Sequence, residues 1–238
     1  MAIPAPRRGR HARQGQACCG PGDGRVGGHV AVAILLVNNY IHKAEEKIRR
    51  YKEVLEALSG TEVIVERFHK IRPGYKPEKP IEAVVLSGSE AYLSRPEDRA
   101  FFEGEIEFVR RIKVPLLGIC FGHQLIGLAF GAEVIQGPER AEPKEVVVEV
   151  PDHIFASWEP GDKLFVAERH RDELAQLPPG FVRLATSGQC RIEAMAHLRR
   201  PIFGVQFHPE RRPEAWMEEW DGLKVLANFI QLSRITSS

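Results

Sequence analysis

Residues 114–124 read VPLLGICFGHQ. The apolar run predicts a short buried strand, and the residues from Gly122 onward predict a helix, so a strand turns sharply into a helix at Cys120. Gly118-Ile-Cys120-Phe-Gly122 has the G-x-nucleophile-x-G form of a nucleophile elbow, which pushes one side chain into the open. Bulkier residues in place of the flanking glycines would clash in such a turn. A cysteine held this way sits at a helix N-terminus, where the positive end of the dipole and the unpaired N–H groups favour a thiolate. Buried free cysteines are commonly inert packing residues. Ligands of open α/β sheets, however, bind at the carboxyl ends of strands, which marks Cys120 as a candidate nucleophile.

The same alternation of strand and helix extends outward from the elbow. VAVAILLV at 30–37 reads as a strand and KAEEKIRRYKEVLEAL at 43–58 as an amphipathic helix, with Ile48, Tyr51, Leu55 and Leu58 on one face and Ser59-Gly60 as its stop. TEVIVERF and EAVVLSGSE are further strands, the second ending in a small-residue turn, and residues 97–112 predict a second amphipathic helix. Beyond Gly131 come the short β runs EVVVEV, KLFVAERH, FVRLATS, RIEAMAH and IFGVQFH, separated by Pro/Gly turns, then a closing helix around 223–232. The predicted class is α/β: an open, mostly parallel sheet flanked by helices, with a small antiparallel extension.

At 238 residues, with ordinary apolar and charged fractions, the chain can bury one sizeable core. Residues 30–238 are expected to form that domain. Residues 1–29 hold five arginines and one aspartate, lack any hydrophobic period, and are expected to be disordered or a non-native extension, with Val30 or Val32 as an alternative start. Because the formal net charge is +1, the remainder carries about −3, which gives no support for nucleic-acid binding. Val30–Val37, the longest apolar stretch, is too short to cross a bilayer, and no secretory signal precedes it. No membrane association and a cytoplasmic location are expected. The four cysteines, Cys18 and Cys19 adjacent among them, form neither a disulfide framework nor a zinc spacing. His11, His29, His42, His69 and His123 show no ligand-like spacing, so no metal is expected.

A second constellation is Gly204-Val-Gln-Phe-His208-Pro-Glu210, an apolar strand that delivers a histidine and, two residues later, a carboxylate. A cysteine nucleophile needs such a base. His208 can hold the thiol's proton and later pass it to a leaving group, with Glu210 fixing the tautomer and steadying the imidazolium. Read alone, the segment is equally an ordinary strand end.

Together, GICFGHQ at 118–124 and GVQFHPE at 204–210 closely resemble the two signatures of class I glutamine amidotransferases, in the family's order, over about residues 30–234. The resemblance implies a flavodoxin-like fold and a glutaminase in which Cys120 forms a γ-glutamyl thioester, His208 acts as base and acid, and Glu210 orients it. It also implies an oxyanion hole at the N–H of Phe121 and at the turn ending an earlier strand. That turn reads Ser87-Gly88-Ser89-Glu90, with Ser89 where the family has its second glycine, so Gly88 and Ser89 are the candidates there. The amide survives the change, but a backbone flip becomes harder. Gln124 corresponds to a substrate-contacting glutamine, and Arg169, His170 and Arg171 fall where family members bind the substrate's amino-acid end through backbone groups. Cys190 reads as structural.

These residues read as one domain with no phosphate-cradling G-x-x-x-x-G-K-[ST], so the resemblance implies that ammonia is expected to go to a separate synthetase. The glutaminase step then needs no cofactor, and ATP and magnesium belong to that partner. LATSGQCRIEAMAH, HRDE and Asn39-Tyr-Ile-His42 look most like the separate glutaminase subunit of two-subunit GMP synthases. The glutaminase subunits of anthranilate or aminodeoxychorismate synthase, a solitary γ-glutamyl hydrolase, and a catalytically silent regulatory binding module are the rival readings. The surroundings of Cys120 lack the C-G-[SA]-C-[WY] pattern of papain-type proteases.

Overall fold

The computed structural model describes residues 32–141, 144–151, 153–212 and 220–236; the expectations for residues 1–29 lie outside them. Strand β1 (Ala33–Asn38) is buried at every position, as an apolar run covered on both faces by helices must be. Helix α1 (Ala44–Ser59) turns Ile48, Tyr51, Val54 and Leu55 inward and ends where Gly60, at φ 63°, returns its N–H to the Glu56 carbonyl. Strands β2 (Glu62–Arg67) and β3 (Ile81–Leu86) pair in parallel with the two sides of β1.

The single helix expected over 97–112 is broken in two. Helix α2 (Pro96–Arg99) passes through a 3₁₀ turn, Ala100–Phe102, before helix α3 (Glu103–Arg111) begins. The break lets Phe102 point into the core, its ring 4.5 Å from that of Phe68 and 4.6 Å from that of Phe121, while Phe101 stays in solvent. Burying one such ring contributes roughly 1.5–3 kcal/mol, enough to override helical continuity.

Strand β4 (Leu116–Ile119) and helix α4 (Phe121–Ala129) meet at Cys120, as the elbow requires. There follow β5 (Val134–Arg140), β6 (Lys144–Val148), β7 (Lys163–Val166), β8 (His170–Leu174), β9 (Phe181–Thr186), β10 (Ala194–His197), β11 (Ile202–Val205) and helix α5 (Asp221–Thr236). The main sheet runs β2-β1-β3-β4-β11-β10-β9-β6-β7. Its first five strands are parallel, and from β10 on each pairing is antiparallel. Apolar side chains of α1 and α5 cover one face and those of α3 and α4 the other.

Strands β5 and β8 form a separate antiparallel ribbon that the sequence pattern hid. β5 is mostly exposed and contains Gly137 and Pro138, which read as a turn. The run KLFVAERH is likewise divided, ending one strand at Val166 and starting another at His170.

Candidate active site

Cys120 adopts φ 53°, ψ −102°, a conformation non-glycine residues avoid at a cost of about 1–3 kcal/mol. The surroundings enforce it. Its N–H donates to the Val205 carbonyl at 2.8 Å, and its own carbonyl accepts the Gln124 N–H at 3.1 Å. The flanking glycines are required by close approach: a Cβ on Gly118 would lie 2.4 Å from the Gly122 carbonyl oxygen, and one on Gly122 would lie 2.6 Å from that of Leu86. Strand, elbow and helix are therefore pressed together with no room for a side chain, and the thiol projects into a cleft of about 460 Å³ at the carboxyl end of the parallel strands.

β11 ends beside β4, and the chain beyond it brings His208 to the same cleft. The His208 N–H is fixed by the Ala167 carbonyl at 2.8 Å, and Pro209 by the Trp220 indole N–H donating to its carbonyl at 2.8 Å. Arg50 Nε donates to the Glu210 carbonyl at 3.2 Å. His208 Nδ1 lies 2.8 Å from Glu210 Oε1, with both side chains buried. Because a carboxylate can only accept, Nδ1 carries the hydrogen, and Nε2 is left for Cys120. Burial pushes the imidazole's pKa down, but the charges of Glu210 and Cys120, with hydrogen bonds to both, raise it to about 9. Burial opposes ionisation of Glu210 too; His208, then Arg211, outweigh it and hold the carboxyl below its usual range.

Of the three oxyanion candidates, Ser89 and Phe121 line the cleft. Phe121 is the first residue of α4, so its N–H has no intrahelical acceptor. The third, Gly88, has its N–H turned inward, donating to Tyr51 Oη at 3.1 Å. The departing Ser89-Glu90 pair is braced, Ser89 Oγ accepting the Ala91 N–H at 3.1 Å and Glu90 accepting the His42 N–H at 2.6 Å.

Gln124 lines the cleft, with its amide nitrogen donating to the Asp172 carbonyl at 2.6 Å and to Gln206 Oε1 at 3.2 Å. The Arg169 and Arg171 side chains are exposed at the rim, and the Arg169 carbonyl lies 3.5 Å from Cys120 Sγ. His170 is buried, with Nδ1 3.1 Å from the Asp172 carbonyl and Nε2 3.6 Å from Glu168. Asp172 in turn holds Ser94 through N–H and hydroxyl at 2.8 and 2.9 Å. Behind His170 lies a buried cluster in which Lys144 Nζ reaches Glu168 at 3.1 Å and Glu193 at 3.5 Å. Sequence reading missed this cluster and the role of Tyr51, since each contact joins segments far apart in the chain. Cys190 is buried, and burial pushes its thiol well up, to a range where it is inert. Among the described residues, no group of three or more His, Cys, Asp or Glu side chains could hold a metal ion.

Residues 36–229 match the family described as glutamine amidotransferase class-I. The chain belongs to the class I glutamine amidotransferases. Among relatives of this amidotransferase, the glutamine-hydrolyzing GMP synthase subunit of Methanosarcina barkeri is 37% identical over 206 residues, covering 84% of this chain and 95% of the relative. Its namesake from Pyrococcus abyssi is 41% identical over 170 residues, 68% of this chain and 84% of the relative. A solved structure from Thermoplasma acidophilum, described as a GMP synthase subunit, superposes on the amidotransferase with a TM-score of 0.73 at 26% identity, covering 88% of this chain and 97% of that one. A glutamine amidotransferase from Thermotoga maritima gives 0.59 at 25% identity, covering 76% and 77%.

Proposed function

We propose that this amidotransferase hydrolyses the side-chain amide of glutamine through a Cys120–His208–Glu210 triad and supplies ammonia to a separate ATP-dependent synthetase of the GMP synthase type. The observation that carries the chemistry is the strained Cys120 at the N-terminus of α4, with His208 fixed beside it by Glu210 at 2.8 Å. Cys120 Sγ attacks the amide carbon, and the oxyanion is held by the N–H groups of Phe121 and Ser89, which act where charge develops. His208 Nε2 takes the Cys120 thiol proton and delivers it to the departing ammonia, then takes one from the water that cleaves the thioester, releasing glutamate and the Cys120 sulfur. Gln124 and the Arg169–Arg171 segment hold the rest of the substrate, the latter through its backbone. The step uses no metal or organic cofactor; ATP and magnesium act on the synthetase. A reducing cytoplasm keeps the Cys120 thiol available. The partner assignment is supported by relatives named as glutamine-hydrolyzing subunits of GMP synthase, which match across most of both chains.

Glutamate release from glutamine, measured with and without an ATP-dependent GMP synthase synthetase subunit, tests both parts. Release that vanishes in Cys120→Ala and rises with the synthetase is expected. Release indifferent to the synthetase would overturn the partner, and none under either condition would overturn the glutaminase.

A further inference from the structure

Helix α1 touches both halves of the site. Tyr51, near its middle and buried in the core, sends its hydroxyl between the turn at residues 87–90 and the turn at 208–210. Tyr51 Oη lies 3.1 Å from the Gly88 nitrogen, 3.3 Å from His208 Nδ1 and 3.2 Å from Tyr40 Oη. A hydroxyl has one proton and two acceptor sites, and the partners here match that inventory. The Gly88 N–H can only donate, and Nδ1 of His208 is a donor because it faces Glu210. Tyr51 therefore accepts from the Gly88 N–H and gives its own proton to Tyr40, whose oxygen also receives Arg211 at 3.4 Å, while the single Nδ1 hydrogen, directed at Glu210 at 2.8 Å, has Tyr51 Oη as a second, longer acceptor at 3.3 Å. The site is tight around this oxygen: a Cβ on Gly88 would stand 3.1 Å from it and 3.1 Å from His208 Cε1.

Resting on the glutaminase reading above, we infer that Tyr51 is a positioning residue that couples the oxyanion turn to the triad. By fixing the Gly88 N–H, it fixes the peptide that precedes the Ser89 N–H, so the oxyanion donor and the general base are aligned through one oxygen. Ser89 makes such an anchor necessary, because a non-glycine residue at this place keeps the turn from being reassembled freely during turnover. Tyr51 does not line the cleft into which the Cys120 thiol projects.

The test is Tyr51→Phe, which keeps the ring and removes only the oxygen. The expected result is a fall in kcat of about tenfold, less than the loss of a whole oxyanion donor, with KM for glutamine and the rate of Cys120 alkylation by iodoacetamide each within twofold of wild type. Tyr40→Phe leaves both donors to Tyr51 in place and is expected to change kcat less than threefold. A kcat within twofold of wild type in Tyr51→Phe would overturn the inference, as would kcat, KM and alkylation all deteriorating together, the mark of a merely structural role. Hydrogen exchange of the Gly88 amide, followed by ¹H–¹⁵N NMR, judges the coupling without turnover: faster exchange in Tyr51→Phe is expected, and unchanged exchange overturns it. Wild-type protein that released no glutamate would count against the glutaminase reading alone, with the Gly88 amide still deciding the place of Tyr51.

Discussion

The exchange of charge between three buried side chains makes the first prediction. His208 is raised to about 9 because, against the effect of burial, Glu210 and Cys120 stabilise the imidazolium. A pKa raised on folding contributes stability that is complete below the ordinary histidine value of about 6.5 and disappears as pH rises through about 9. Glu210→Gln removes the leading favourable charge, so His208 in that variant is expected to titrate well below wild type when followed by ¹H–¹⁵N spectra of the ring nitrogens. An unchanged titration would show that Glu210 does not set the protonation of His208. Cys120, His208 and Glu210 were legible as one candidate site because they lie in two short segments with fixed internal spacing. Tyr51, Lys144, Glu168 and Glu193 were not legible as site neighbours, since their meaning comes only from contacts across many residues of chain.

At the scale of elements, glycine separates two kinds of requirement. Gly60 needs its left-handed φ of 63° but has open space where a Cβ would stand, whereas a Cβ on Gly118 meets backbone at 2.4 Å. Gly60→Ala is therefore expected to cost about 1 kcal/mol. Gly118→Ala, which must part β4 from α4, is expected to cost more than about 3 kcal/mol and to abolish any glutaminase activity. Urea denaturation of both variants measures the difference, and equal losses would contradict the close-packed elbow. Sequence periodicity found β1, α1, β4 and α4 because burial repeats along each of them. It did not find the break between α2 and α3, which Phe102 imposes from a distance, nor β5, whose Gly137 and Pro138 imitate a turn.

Across the whole molecule, the balance of buried acids sets how stability responds to pH. Glu105 is buried on α3 against Asn39 at the end of β1, with Asn39 Nδ2 donating to its Oε1 at 3.2 Å, and burial pushes its carboxyl up to about 8. Glu193 is raised as well, by burial and then by the charge of Glu168. For an acid with a raised folded pKa, the folded state holds a proton that the unfolded chain has released, so stability falls as pH climbs from about 4.5 toward 8. His208 adds a loss in the same direction between about 6.5 and 9. The amidotransferase is therefore expected to lose stability steadily from pH 6 to 9, a trend that its sequence-wide net charge of +1 gives no hint of. Glu105→Gln keeps an oxygen for Asn39 and removes one titration, so its stability is expected to fall by about 3 kcal/mol less over that interval. Paired urea melts at pH 6 and pH 9 decide it, and parallel declines in wild type and variant would mean that Glu105 releases its proton in the folded state as readily as in the unfolded chain.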